Sequence, residues 1–154
     1  SDVGSTAFSV CATNGNVEAA RAFCDIDKTG DVNTLNSLGA ASLHNAAENG
    51  HLEVVQLLLH RRAVVDVRKS PHSSTAGRTA LHCASANCHV QICKVLLEHK
   101  ASVCATDAKG ATPFQLAANE LPLVIGSQAS TARSDTLRCL REAEGILDNE
   151  DRLQ

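Results

Sequence analysis

One block of sequence returns four times along the chain, and this limits the fold more than any other feature. Gly39-Ala-Ala-Ser-Leu-His-Asn-Ala-Ala-Glu-Asn-Gly50 aligns with Gly77-Arg-Thr-Ala-Leu-His-Cys-Ala-Ser-Ala-Asn-Cys88 and with Gly110-Ala-Thr-Pro-Phe-Gln-Leu-Ala-Ala-Asn-Glu120. Upstream, Gly4-Ser-Thr-Ala-Phe-Ser-Val-Cys-Ala-Thr-Asn-Gly15 follows the same pattern. Each block has a glycine, a small residue three places on, a Leu or Phe, a polar residue and then a pair of small residues. A second block follows: Asn16-Val-Glu-Ala-Ala-Arg-Ala-Phe-Cys24, His51-Leu-Glu-Val-Val-Gln-Leu-Leu-Leu59, His89-Val-Gln-Ile-Cys-Lys-Val-Leu-Leu97 and, displaced, Asp135-Thr-Leu-Arg-Cys-Leu140. The leading glycines at 4, 39, 77 and 110 are spaced by 35, 38 and 33 residues. A fixed period of this size means a stacked array of small supersecondary units rather than one globular core.

The residues within a unit read as helix, turn, helix. A threonine hydroxyl caps the first helix, and Pro113 is placed at the first helical position, where its missing N–H costs nothing. Leu81 and Ala84 share one helical face. Gly15 and Gly50 fit left-handed caps between the two helices. Leu52, Val55, Leu58 and Leu59 stripe the second helix. One such pair cannot bury both its faces, so neighbours must stack on it.

Thr79-Ala-Leu-His-Cys-Ala84 and Thr112-Pro-Phe-Gln-Leu-Ala117 resemble the ankyrin-repeat signature, whose period is about 33 residues and whose motif begins T-P-L-H-x-A. The later Gly-Ala pair of that family survives in part, as Arg62-Ala63 and Lys100-Ala101. The resemblance covers residues 4–147. It implies an all-α fold, an ankyrin-repeat solenoid of stacked helix-turn-helix units with projecting loops or β-hairpins. We expect a single domain over 1–154, with units at 4–35, 36–73, 74–106 and 107–147 and a C-terminal tail at 148–154.

Composition agrees with thin layers. Hydrophobic residues make up 44% of the 154 and aromatics only 2%, so the core has to be aliphatic. The net charge of -3 supplies no basic footprint for nucleic acid. No apolar run approaches the roughly 18 residues that span a bilayer. Seven cysteines, an odd number, and no N-x-[ST] acceptor point to a reducing compartment, cytoplasmic or nuclear. The chain contains no Met, which fits either loss of an initiator or a piece cut from a longer protein.

Departures from the period are candidate sites of specificity. Cys88 replaces the glycine of the inter-helix turn, so strain or an altered turn is expected there. Extra residues fall near Asp25–Gly30, within Lys69–Ala76 and at Leu121–Arg133. The last of these is expected to be disordered. Arg61-Arg62 and Arg68-Lys69 form a basic edge expected to be solvated. Ser70-Pro71 is a candidate phosphorylation site in an otherwise ordinary polar loop. The last helix carries Arg138, Arg141, Glu142 and Glu144, a polar outer face suited to a terminal cap.

His82, Cys83, Cys88, His89 and Cys93 suggest a metal cluster at first sight. The repeat register accounts for each of them separately. His82 is the signature histidine, with Thr79 as its partner. Cys83 and Cys93 occupy core positions, and His89 starts a second helix as His51 does. Neither a zinc site nor a Cys–His nucleophile is favoured, and no cofactor-binding motif is present. Cys88 and Cys104 are the thiols expected to be most exposed.

The family resemblance implies binding of another protein by a concave surface of loop tips and first helices. Carried over by position, the tips are Asn36, Ser37 and Leu38, then Ser74, Thr75, Ala76 and Arg78, then Asp107, Ala108 and Lys109. The groove floor holds Glu48, Asn49, Ala86, Asn87, Asn119 and Glu120. Arg78 and Lys109 are its positive points. The expected role is a monomeric interaction module or scaffold. The alternatives are a targeting or regulatory domain of a larger protein and, third, a thiol or zinc site on the scaffold.

Overall fold

A computed structural model of the chain describes residues 2–26, 32–119 and 127–145. Among these residues it has eight helices and no strand. They are α1 (Asp2–Asn14), α2 (Val17–Ile26), α3 (Ser42–Asn49), α4 (Leu52–His60), α5 (Ala80–Ala86), α6 (Val90–Glu98), α7 (Pro113–Asn119) and α8 (Ser127–Glu144). The first helices stack in one row, α1 on α3, α3 on α5 and α5 on α7, and the second helices form a row behind them. The expected all-α solenoid is what forms.

The core is the seam between the two rows. Leu43, Leu81, Val54, Val55, Leu58, Ile92 and Leu96 are buried in it, interleaved with Ala46, Ala47, Ala84 and Ala117. Small residues on the first helices let the row close up, and branched aliphatics on the second helices fill the space behind. Cys83 and Cys93 are buried here as well. Burial pushes the Cys83 thiol up to about 11 and the Cys93 thiol up to about 12, so both behave as small hydrophobes.

The turn between the helices of a unit is left-handed, at Gly15 (φ 69°), Gly50 (φ 80°) and also Cys88 (φ 57°). Cys88 therefore keeps the regular turn and carries the strain of a β-carbon in it. Arg62 (φ 63°) and Lys100 (φ 66°) do the same where the signature has its later glycine.

The first helices α3, α5 and α7 are each fastened at the start by a side chain three residues on. The Thr79 N–H donates to His82 Nδ1 at 3.1 Å, and the Thr79 hydroxyl lies 2.9 Å from the same nitrogen. With Nδ1 accepting, Nε2 carries the ring hydrogen and donates to Ala111 O at 3.0 Å. His44 does likewise, accepting from Ala41 N–H and reaching Val67 O and Arg78 O through Nε2. At Thr112 the cap is reciprocal: Gln115 Oε1 accepts the Thr112 N–H at 2.9 Å, and the Thr112 hydroxyl accepts the Gln115 N–H at 3.3 Å.

Three expectations are corrected. Helix α1 begins at Asp2, so Gly4 lies inside a helix and not in the turn before one. The second helix of the fourth unit is not the short segment starting near Asp135. It begins at Ser127, so 127–133 of the insertion expected to be disordered is helical. Arg133 there donates to the C-terminal carbonyls Ala117 O and Ala118 O of α7, and the Arg141 guanidinium sits 5.3 Å from the Phe114 ring centroid. The third correction is Lys69, whose side chain is buried rather than solvated. Most of the insertion near Asp25–Gly30, residues 121–126 of the later one and the tail at 148–154 lie outside the described residues.

Candidate interaction surface

The tips that lead into α3 and α7 are built alike. Asn36 Oδ1 accepts the N–H groups of Leu38 and Ala40, both at 3.0 Å. Asp107 Oδ1 accepts those of Lys109 and Ala111, both at 2.9 Å. In each, a backbone pair closes the tip, Asn36 N–H to Ala40 O and Asp107 N–H to Ala111 O, each at 2.9 Å. A short side chain with an oxygen is required, because it must satisfy the donors that the reversal leaves over. Burial raises the Asp107 carboxyl, but the Ala111 and Lys109 amides, with Arg78, more than offset this and hold it below the usual carboxylate range.

The middle tip breaks this rule. Lys69 N–H pairs with Arg78 O at 2.9 Å, so Lys69 occupies the place of Asn36 and Asp107, and the insertion is looped out from 70 to 77. A lysine cannot accept the leftover donors. Its Nζ goes instead to Glu48 Oε2 at 2.8 Å and Thr75 Oγ1 at 3.1 Å. The tips are then tied to each other, Ser70 N–H to Gly39 O at 2.8 Å and Ala108 N–H to Ala76 O at 3.0 Å.

The sequence-derived surface positions separate into two groups. Ser37, Leu38, Glu48, Asn49, Ser74, Asn87, Lys109 and Asn119 are exposed. Asn36, Thr75 and Asp107 are engaged in holding the tips, and Ala86 is buried beneath the surface. Arg78 packs with its Nε 3.5 Å from Asp107 Oδ2, its side chain mostly covered, so it is less of a positive point than its sequence suggests. Glu120 lies outside the described residues. Sequence reasoning missed Lys69 and Asn45, which line the space between the first two tips. The signal for Lys69 was the register: counting back from Gly77 across the insertion places it at the turn-closing position.

Among the described residues, no group of three or more His, Cys, Asp or Glu is placed to hold a metal ion, and no helix is long and apolar enough to cross a membrane. His51 and His89 start their second helices and reach back to the preceding unit, through Nε2 to Thr13 O at 2.8 Å and to Glu48 O at 3.2 Å.

Comparison with known proteins agrees with this geometry. A profile of ankyrin repeats in many copies matches residues 43–97 and 81–120, and one of three copies matches 1–69. Inversin of Danio rerio is 36% identical over 63 residues, which is 41% of this chain and 6% of that protein. The repeat period, the stacked helix pairs and these matches together place the chain in the ankyrin-repeat family.

Proposed function

We propose that the chain holds a segment of a partner protein on the surface formed by the turn tips and the C-terminal turns of α3, α5 and α7. The ankyrin repeat is in general a protein-interaction module, and the finer assignment rests on one observation. Along this side, the residues that fasten the frame are covered, Asp107 fully and Asn36 and Arg78 in part. The exposed ones (Ser37, Leu38, Ser74, Asn87, Lys109, Asn119) are left out of the core. Curved arrays use such rows of rigidly held polar tips for recognition. The seven thiols are all free, which fits a reducing compartment, cytoplasm or nucleus. We take the chain to be a single array and monomeric when unbound. It is read as binding without cofactor or catalysis.

A second reading is favoured by the match to Inversin, which spans 6% of that protein. In this reading the array targets or regulates a longer protein of which it is one part. It uses the same surface and differs only in what is attached.

The test is a paired substitution. Asn87→Ala with Lys109→Ala removes two exposed side chains, of which Asn87 gives up one bond, to Cys83 O at the end of its own helix. Affinity for a partner identified by affinity capture should fall about tenfold or more, with the thermal melt unchanged. Unchanged affinity with an intact fold moves the site to the opposite face. Arg78 is unsuitable for this test, because its loss leaves Asp107 without its charge partner.

A further inference from the structure

The insertion between the second and third units builds a wall. Ser70–Thr75 stand across from Leu35–Ala40, and the two loops enclose a groove of about 620 Å³ floored by Asn45, Glu48 and Lys69. The tip at Asp107–Gly110 is short and offers the next unit no such wall.

The charge that an occupant meets is set by the burial of two side chains. The Lys69 side chain is 6% exposed and turned to Glu48 and Thr75, whereas the Glu48 side chain is 45% exposed. The ammonium is hidden and one edge of the carboxylate is open. At the rim, Leu38 is 75% exposed and Leu35 38%. An apolar edge beside an accessible carboxylate does not suit an acidic peptide or a phosphate backbone.

Building on the proposed role in partner binding, we infer that this groove takes one extended partner segment with an Arg or Lys directed at Glu48 and an apolar side chain against Leu35 and Leu38. An extended chain puts side chains two or four residues apart on one face, so the two anchors are separated by an odd number of residues. A guanidinium fits the open carboxylate edge best, because its planar donors match it.

The test pans a phage-displayed random dodecapeptide library on the full chain. Recovered peptides are then synthesised, and their affinities measured for the wild type, Leu38→Ser, Glu48→Gln and the Asn87→Ala/Lys109→Ala pair. Recovered sequences should carry Arg or Lys two or four places from an apolar residue. Leu38→Ser, which removes the apolar contact without adding charge, should weaken binding about tenfold, and Glu48→Gln should abolish the preference for Arg over Gln in the peptide. Glu48→Gln also loosens Lys69, so Leu38→Ser, at a solvated tip, is the deciding variant. Acidic consensus peptides, an empty selection, or equal affinity for wild type and Leu38→Ser overturn the inference. If affinity then falls only with the Asn87/Lys109 pair, the wider surface stands without the groove. If no variant matters, both fail.

Discussion

The imidazole of His89 lies flat against the left-handed turn at Gly50, and a β-carbon added there would sit 2.8 Å from its Cε1. His51 covers Gly15 in the same way, with Nδ1 2.4 Å from the added atom. Each ring also bonds to a carbonyl two residues before the glycine it covers. A histidine of one unit is therefore keyed into the glycine of the unit before, which fixes how far the units slide past one another. The glycines of these turns answer to two demands, one from φ and one from the neighbouring ring.

These two demands can be separated by experiment. Gly110 has the same φ of 80° as Gly50, but a β-carbon there meets nothing within 4 Å. Gly110→Ala should cost about 1–2 kcal/mol, the price of a left-handed alanine. Gly50→Ala carries that cost and displaces the His89 ring as well, so it should lose clearly more, roughly 3 kcal/mol. Urea denaturation of the two variants compares them directly. Equal losses would mean that the ring moves aside freely.

Cys88 holds the equivalent turn of the third unit. The fourth unit has no histidine to lay over it, since α8 begins at Ser127 on a different register. Left-handed strain with no histidine ring over the turn predicts that Cys88→Gly stabilises the chain. Relief of the left-handed β-carbon, less the entropy of a new glycine, leaves a gain of about 0.5–1 kcal/mol. A thermal melt that is unchanged or lower counts against the strain.

The turn at Cys88 was legible in the sequence because a glycine is missing from a repeated position, and the helix pairs were legible because hydrophobic spacing repeats with them. The fourth unit was not. Its last helix shows few large apolar residues over 127–135, and a segment rich in Ser, Thr and Ala reads as loop when only periodicity is weighed. What holds it is Arg133 on the carbonyls that end α7, a long-range bond with no local signal. The surface was half legible. Position in the repeat identified the tips, but not that Asn36 and Asp107 are engaged within them, or that an inserted loop places a lysine where an acceptor belongs.

His44 gives the chain a pH-dependent stability. It is fully buried, and desolvation, with the Lys69 charge, holds its pKa down at about 4, while the carbonyls of Val67 and Arg78 pull weakly the other way. The unfolded chain titrates near 6.5 and so binds the proton first. The stabilisation is complete above that value, is lost as pH falls from about 6.5 to about 4, and amounts to about 3 kcal/mol. His82 is lowered for the same first reason, burial, and adds in the same direction. Chemical denaturation at pH 7, 6 and 5, above the range of the carboxylates, should show the loss. His44→Gln should start less stable and flatten the slope. A wild-type stability that is constant over this interval would mean that His44 protonates in place.

The leading side of the array differs from its inner junctions at one helical position. Phe23, Leu58 and Leu96 fall at the same place in successive units, yet Leu58 and Leu96 are 0% exposed and Phe23 is 37% exposed. Their neighbours one turn earlier repeat the contrast, with Val54 and Ile92 buried and Ala19 only half-buried. Among the described residues no helix lies on that side of α1 and α2, so Phe23 contributes only part of its apolar area to the core. Leu58→Ala should therefore cost about 2–5 kcal/mol, a buried side chain lost together with the cavity left behind. Phe23→Ala removes a larger side chain and should still cost less, roughly 1–2 kcal/mol, because the site opens to water instead of leaving a void. Urea midpoints for the two variants give the comparison. A Phe23→Ala loss equal to that of Leu58→Ala would mean that the face is covered in solution.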